Sequence, residues 1–195
     1  MPKKGLSSGE ILEVAERLVQ ERGYDHFSLR ELAARLEVKP ASLYNHIGGI
    51  DELNTAVALK AAERLNRALK EAVAGVEPDD AFLRAALAYR AFAAENPELY
   101  KALMRMPASD DELVVRASWE SFAPMRELIL SYGADGTRTV HFLRSLRAAM
   151  HGFIELTGSG FMRRGDVQRD ESYRVMIQGF LSKLKELAGD QNEKV

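Results

Sequence analysis

Apolar residues recur along most of the chain at spacings of three and four, the period of an α-helix. Alternating Val, Ile and Thr runs bounded by hairpin turns are absent. The pattern predicts an all-α protein. Ser7 and Glu10 have capping-box spacing, and behind them Ile11, Val14, Ala15 and Leu18 form one apolar face that Gly23 can close. Ser28 and Glu31 repeat the signature ahead of Leu29, Leu32, Ala33 and Leu36. A tight turn at Glu37-Val38-Lys39 then leads into a short third helix from Pro40 to about His46. A longer helix is expected from Asp51 to Val73, stopped by Gly75. Others are expected at about 79–95, 97–105, 110–130, 137–157 and 170–188, punctuated by Asn96-Pro97, Pro107 and Gly133-Ala134-Asp135-Gly136. The segment 158–169 reads as a loop. The plan is a three-helix head over residues 1–50 and a larger helical body over 51–195, whose first helix connects the two.

Two short helices joined by a tight turn form the helix-turn-helix pattern. With Val38, Leu43 and Ile47 facing inward, the third helix turns Ala41, Ser42, Tyr44, Asn45 and His46 outward, a face mostly free of carboxylates. Small Ala41 and Ser42 permit close approach to a major groove. Tyr44, Asn45 and His46 add donors, acceptors and a flat ring. Ser28 at a helix N-terminus, with Arg30 and Lys39, supplies phosphate-contact chemistry.

Composition limits the alternatives. The 195 residues are 46% hydrophobic and 29% charged, enough for a globular core. No cysteine is present, which excludes disulfides and thiolate chemistry. The start leads into no apolar signal core, and the longest apolar run falls short of the roughly 18 residues of a membrane span. The chain is therefore expected to be soluble and cytoplasmic, with no membrane partner. Net charge is −2, and the first fifty residues hold seven basic and seven acidic side chains. Bulk charge therefore lends DNA binding no support, and the argument rests on placement.

The stretch Phe27-Ser28-Leu29-Arg30-Glu31-Leu32-Ala33-Ala34-Arg35-Leu36-Glu37-Val38, then Ala41-Ser42-Leu43-Tyr44-Asn45-His46-Ile47, closely resembles the TetR/AcrR (tetracycline-repressor) family. The resemblance covers about residues 8–58, with Ala15-Glu16-Arg17-Leu18 through Glu21-Arg22-Gly23-Tyr24 fitting that family's first helix. It implies a homodimer that places one third helix in each of two successive major grooves of a double-stranded DNA operator. By position it implies phosphate contacts at Ser28 and Tyr44, and base proximity at Lys39, Pro40, Ala41, Ser42 and His46. One departure is visible. A Lys usual near the start of the fourth helix is replaced by Gly48-Gly49-Ile50-Asp51, which should weaken affinity and flatten its salt dependence. The glycines could still offer backbone N–H groups to a phosphate.

In the body, Phe82, Tyr89 and Phe92 share one helix face with Ala85 and Ala86 between them. With Tyr100, Met104, Trp119, Phe122, Met125 and His151 they are candidates to line a pocket for a small-molecule effector, since aromatics beside alanines leave space and Met adapts to irregular shapes. Each of them, taken singly, reads as core before ligand contact; the group is the better candidate. Helix 137–157 is apolar on two sides, and the last helix carries more than a narrow stripe. Phe142, Leu146, Phe153, Met176, Phe180 and Leu184 are therefore candidates for a four-helix dimer interface. Met150-His151-Gly152-Phe153 resembles a C-terminal domain type of the same family named for a Trp-His-Gly signature, with Met150 in place of the Trp. His151 and Glu155 have metal-ligand spacing but no third ligand in sequence, so neither a metal nor another cofactor is expected. No phosphate loop, dinucleotide turn or nucleophile elbow points to an enzyme. The reading is a ligand-responsive repressor released from a palindromic operator by a small apolar or aromatic effector. The alternative is a helical protein-binding adaptor without DNA-binding activity.

Overall fold

The structure, a computed structural model, describes residues 6–106, 112–133, 136–163 and 168–192, the last five as backbone only. Among the described residues there are ten helices and no strand. They are α1 (Ser8–Arg22), α2 (Leu29–Arg35), α3 (Pro40–Leu43), α4 (Ile50–Val73), α5 (Pro78–Glu95), α6 (Pro97–Met104), α7 (Glu112–Glu120), α8 (Ala123–Ser131), α9 (Gly136–Gly158) and α10 (Arg169–Asn192). The protein is all-α, as the periodicity predicts. None of these helices is long and apolar enough to cross a membrane. Pro107, Ala134, Asp135 and part of the 158–169 loop lie outside the described residues.

One expectation is corrected. The single helix at 110–130 is two, α7 and α8, separated at Ser121-Phe122. Pro124 lies in the first turn of α8, where its missing N–H costs nothing. Inside one continuous helix the same residue would remove a hydrogen bond and clash with the preceding turn.

The chain forms two compact units. The first comprises residues 1–65 and 92–121. In it α1 packs on α2 and α6, and α2 on α3. Ile11, Leu18, Leu32, Leu43, Val57 and Leu99 are fully buried. Glu16 is buried among them, and its carboxylate lies 2.5 Å from the Arg64 guanidinium of α4. Each N-terminal Ser caps as its spacing predicts: Ser7 Oγ accepts from the Glu10 N–H and Ser28 Oγ from the Glu31 N–H, both at 3.2 Å. Such a cap contributes about 1 kcal/mol. α6 also holds the turn between α1 and α2. The Tyr24 N–H donates to Glu98 Oε2 at 2.6 Å, Lys101 pairs with Asp25 at 2.8 Å, and Arg105 pairs with Asp25 as well.

The second unit comprises residues 66–91 and 122–195. Its core is aromatic. Phe142 of α9 meets Phe82 at 6.5 Å and Phe180 edge-on at 5.7 Å, and Phe153 meets Tyr173 at 5.1 Å. The buried Tyr173 hydroxyl donates to the Ala86 carbonyl at 2.8 Å, and burial pushes its phenol pKa up. Asp79 accepts from the Tyr132 hydroxyl at 2.5 Å and pairs with Lys185, joining α5, the end of α8 and α10.

This packing alters one part of the expected dimer face. Leu146 and Leu184 are wholly buried within a single chain, so they have no surface left for a second copy. Phe142 and Phe153 are almost as enclosed, whereas Met176 and Phe180 are half-buried. The period of 3.6 puts other residues on the open side of each helix: Ser145, Ala148 and Leu156 on α9, with Val175, Gly179 and Lys183 on α10.

Candidate nucleic-acid interface

The helix-turn-helix is built by local hydrogen bonds. Leu36 ends α2, and the Val38 N–H reaches back to the Ala33 carbonyl at 3.0 Å. Glu37 takes φ 55°, the left-handed conformation that this sharp turn demands and that glycine adopts more easily. Pro40 begins α3 with its φ already helical. Helical geometry runs past Leu43, with Tyr44 in the right-handed region and the Ile47 N–H bonded to the Leu43 carbonyl at 3.0 Å. Leu43 and Ile47 are buried, which fixes the rotation of α3.

That rotation exposes the other side. Lys39, Pro40, Ala41 and Asn45 are exposed, Tyr44 is 60% exposed, and Ser42 and His46 are half-buried. A tyrosine left that open on a short helix forgoes much of the roughly 1.5–3 kcal/mol that burying a large apolar side chain gains, so its ring is available to an external surface. Ser28 and Arg30 are exposed on α2. All nine candidate DNA-binding residues therefore lie on the surface of the first unit.

Charge on this surface is partly committed. Arg22 pairs with Glu31 at 2.6 Å, and Arg35 pairs with Glu21 at 2.5 Å. The Arg35 hydrogen bond holds the Glu21 carboxyl below its ordinary pKa. Arg30 and Lys39 have no ion-pair partner among the described residues. Of the two glycine amides after α3, that of Gly48 donates to Glu52 Oε2 at 2.6 Å rather than standing open.

The effector-pocket candidates divide between the units. Phe92, Tyr100, Met104 and Trp119 belong to the first, where Phe92 and Tyr100 are buried and Trp119 is 53% exposed. Phe82, Tyr89, Phe122, Met125 and His151 belong to the second. There Tyr89 meets Phe122 edge-on at 5.6 Å, with the Arg147 guanidinium 5.8 Å above the Phe122 ring. Met125 is fully buried and His151 half-buried. Sequence reasoning missed Arg147 and Arg90. Arg90 lies 5.1 Å over the Tyr173 ring and pairs with Asp170 at 2.5 Å. An arginine at helical spacing gives no sign that it will turn onto an aromatic face.

Comparison with known proteins identifies the class. Residues 11–57 match the family profile described as bacterial regulatory proteins, tetR family, and residues 82–180 match the tetracyclin repressor-like C-terminal domain. The chain is 33% identical over 173 residues to an uncharacterised HTH-type transcriptional regulator, Rv0681, of Mycobacterium tuberculosis, covering 88% of this chain and 78% of that one. It is 32% identical over 186 residues to the uncharacterised HTH-type regulator YobS of Bacillus subtilis, covering 94% and 95%. The fold recurs in a protein of unknown function from Rhodococcus sp. RHA1, with TM-score 0.79, 23% identity, and 94% and 98% of the chains covered. It recurs also in BioQ, solved with its natural double-stranded DNA operator (TM-score 0.68, 19% identity, 93% and 99% covered). A further example is a single-residue variant of TetR from Acinetobacter baumannii AYE, solved with minocycline (TM-score 0.69, 19% identity, 94% and 99% covered). With a tetR-family head and a repressor-like C-terminal domain matched on one chain, the protein is a DNA-binding transcriptional regulator of the TetR family and not an enzyme.

Proposed function

We propose that the chain is a ligand-responsive repressor that binds a palindromic operator as a homodimer and leaves it when a small apolar or aromatic molecule is bound. The observation that carries this reading is the exposed face of α3, where Tyr44 stands open beside Ala41, Ser42, Asn45 and His46, held through buried Leu43 and Ile47 beside the capped helices α1 and α2. Ser28, Arg30, Lys39 and Tyr44 hold the duplex by its backbone, while the α3 face meets base edges. BioQ, of the same fold, is a DNA binder by its own complex, and the Acinetobacter protein takes a small molecule.

For the effector, the second unit offers the better group. Tyr89 and Phe122 form an apolar ring pair, and buried Met125 and half-buried His151 belong to the same unit, a composition that suits a compact aromatic molecule with one polar group. Such a ligand releases DNA only through a difference in affinity between the DNA-competent and DNA-incompetent states.

For the dimer, α9 and α10 expose Ser145, Ala148 and Gly179 among larger side chains, and between them runs a groove of about 550 Å³ whose apolar lining is Phe142, Met176, Phe180 and Leu187. Its apolar floor favours cover by the same face of a second copy.

The test is fluorescence anisotropy on duplexes enriched from a random pool and on the gene's own upstream DNA, beside unrelated DNA. Selective binding that falls at least about fivefold in Tyr44→Ala is the expected result, since a lost phosphate-and-groove contact costs on the order of 1–3 kcal/mol. Equal binding to all duplexes, unchanged in the variant, would refute the reading.

A further inference from the structure

The turn after α3 holds a contact that the DNA-binding reading leaves unused. The Gly48 N–H donates to Glu52 Oε2 at 2.6 Å, and Glu52 stands with Asp51 in the first turn of α4, all three residues exposed or nearly so. The carboxylate sits close over the glycine: a Cβ at position 48 would lie 2.7 Å from the same oxygen, so a side chain there would push the Glu52 carboxylate aside.

The contact lies one residue beyond Ile47 and four beyond the open Tyr44 ring. A helix about 10–12 Å across fills a major groove about 12 Å wide, so groups just past its end lie against the phosphate strands. There a backbone N–H is a natural phosphate donor. A carboxylate is the opposite, because its charge meets phosphates within about one Debye length, roughly 8 Å at physiological salt.

We propose that Glu52 is an intramolecular competitor for operator phosphate. Its carboxylate engages the Gly48 amide and keeps a negative charge at the DNA backbone, holding operator affinity below what the α3 surface alone would give. The proposal rests on the DNA-binding reading of that surface. It also gives the departure at Gly48-Gly49-Ile50-Asp51 a mechanism: besides lacking a phosphate-binding cation, this corner carries a group that opposes the phosphate.

Two variants separate the two effects. Glu52→Gln keeps an acceptor for Gly48 and removes the charge, whereas Glu52→Ala removes both. Anisotropy on the duplex that the wild-type chain enriches from a random pool should show both binding about three- to tenfold tighter at low salt, the alanine variant at least as tightly as the glutamine. The gain should shrink as salt rises. Glu52→Lys should in addition steepen the slope of log K against log salt by about one per half-site. Unchanged or weaker binding by the Gln and Ala variants, with cooperative melting curves showing them folded, overturns the proposal. Should the alanine variant fail to fold, the glutamine variant decides alone. Selective wild-type binding that is lost in Tyr44→Ala but unaltered by the Glu52 variants removes this inference and leaves the DNA reading standing. If none of these proteins selects a duplex, both fall.

Discussion

At the scale of single residues, the least predictable positions are those that break a local rule. Glu37 is a long charged residue in a left-handed conformation, and no feature of its neighbours announces it. The conformation costs roughly 1–2 kcal/mol for a residue with a Cβ, against an entropic penalty of about 0.5–1 kcal/mol for glycine. Glu37→Gly should therefore raise stability by up to about 1 kcal/mol, read as a higher denaturation midpoint with an unchanged m-value. An unchanged or lower midpoint would show that Glu37 has compensating contacts. Glu16 breaks a different rule, being a carboxylate buried inside α1. Its partner Arg64 is 42% exposed, which weakens the pair, yet removing the partner leaves the carboxylate buried and uncompensated. Arg64→Ala is expected to cost about 1–3 kcal/mol in chemical denaturation, and Glu16→Gln in the same background should recover part of it. The apolar face of α1 was legible from its spacing. Glu16 was not, because a helical period marks where apolar residues fall and is silent about a charge neutralised from another helix.

Elements were legible where their punctuation was strong. Both Ser caps, the Pro40 start and the Asn96-Pro97 boundary follow from residue chemistry that acts within four positions. The break between α7 and α8 was equally present in the sequence, at Pro124, but the apolar period continues through it and masked the signal. What no local pattern could reveal is the hold of α6 on the α1–α2 turn, since Glu98 and Arg105 act on residues 74 and 80 positions away. That hold is electrostatic, and its pH dependence has a definite sign. The Lys101 hydrogen bond, aided by Arg105, keeps the Asp25 carboxyl below its ordinary pKa. A depressed folded-state pKa contributes stability above the unfolded value and loses it as pH falls through the folded one. Glu21, Asp79 and Asp170 are depressed in the same way, so thermal stability should decline as pH drops below about 5. Asp25→Asn should lower the melting temperature at neutral pH and flatten the acid slope. An acid slope identical to that of the wild type would show that this carboxylate is not held in solution.

For the whole molecule, the family and the all-helical architecture were readable early, because the head motif is dense in specific residues. Of the proposed dimer face, only part was readable. Periodicity showed that α9 and α10 are apolar on two sides but not which side the chain itself would consume, and Leu146 and Leu184 went inward. Glycines give the sharper test. A Cβ at Gly152 or Gly179 would meet nothing within 4 Å, so a single chain has room for the first carbon of a side chain at either place. Leucine in a helix should even stabilise the protomer, by about 0.5–1 kcal/mol relative to glycine. Gly179→Leu or Gly152→Leu is accordingly expected to shift light-scattering mass from dimer to monomer while preserving helicity. A dimer that survives both substitutions would place the interface on another surface.

The hydrogen bond from Tyr173 to Ala86 spans 87 residues, and its consequence concerns synthesis. At about 5–20 residues per second, a ribosome that has just made α5 needs on the order of ten seconds to deliver α10. Phe82 waits through much of that interval for Phe142 of α9, and Phe142 and Phe153 then wait for Phe180 and Tyr173, the rings that complete their packing. The second unit is thus exposed to misassociation while it is being translated, and its final helix is what ends that exposure.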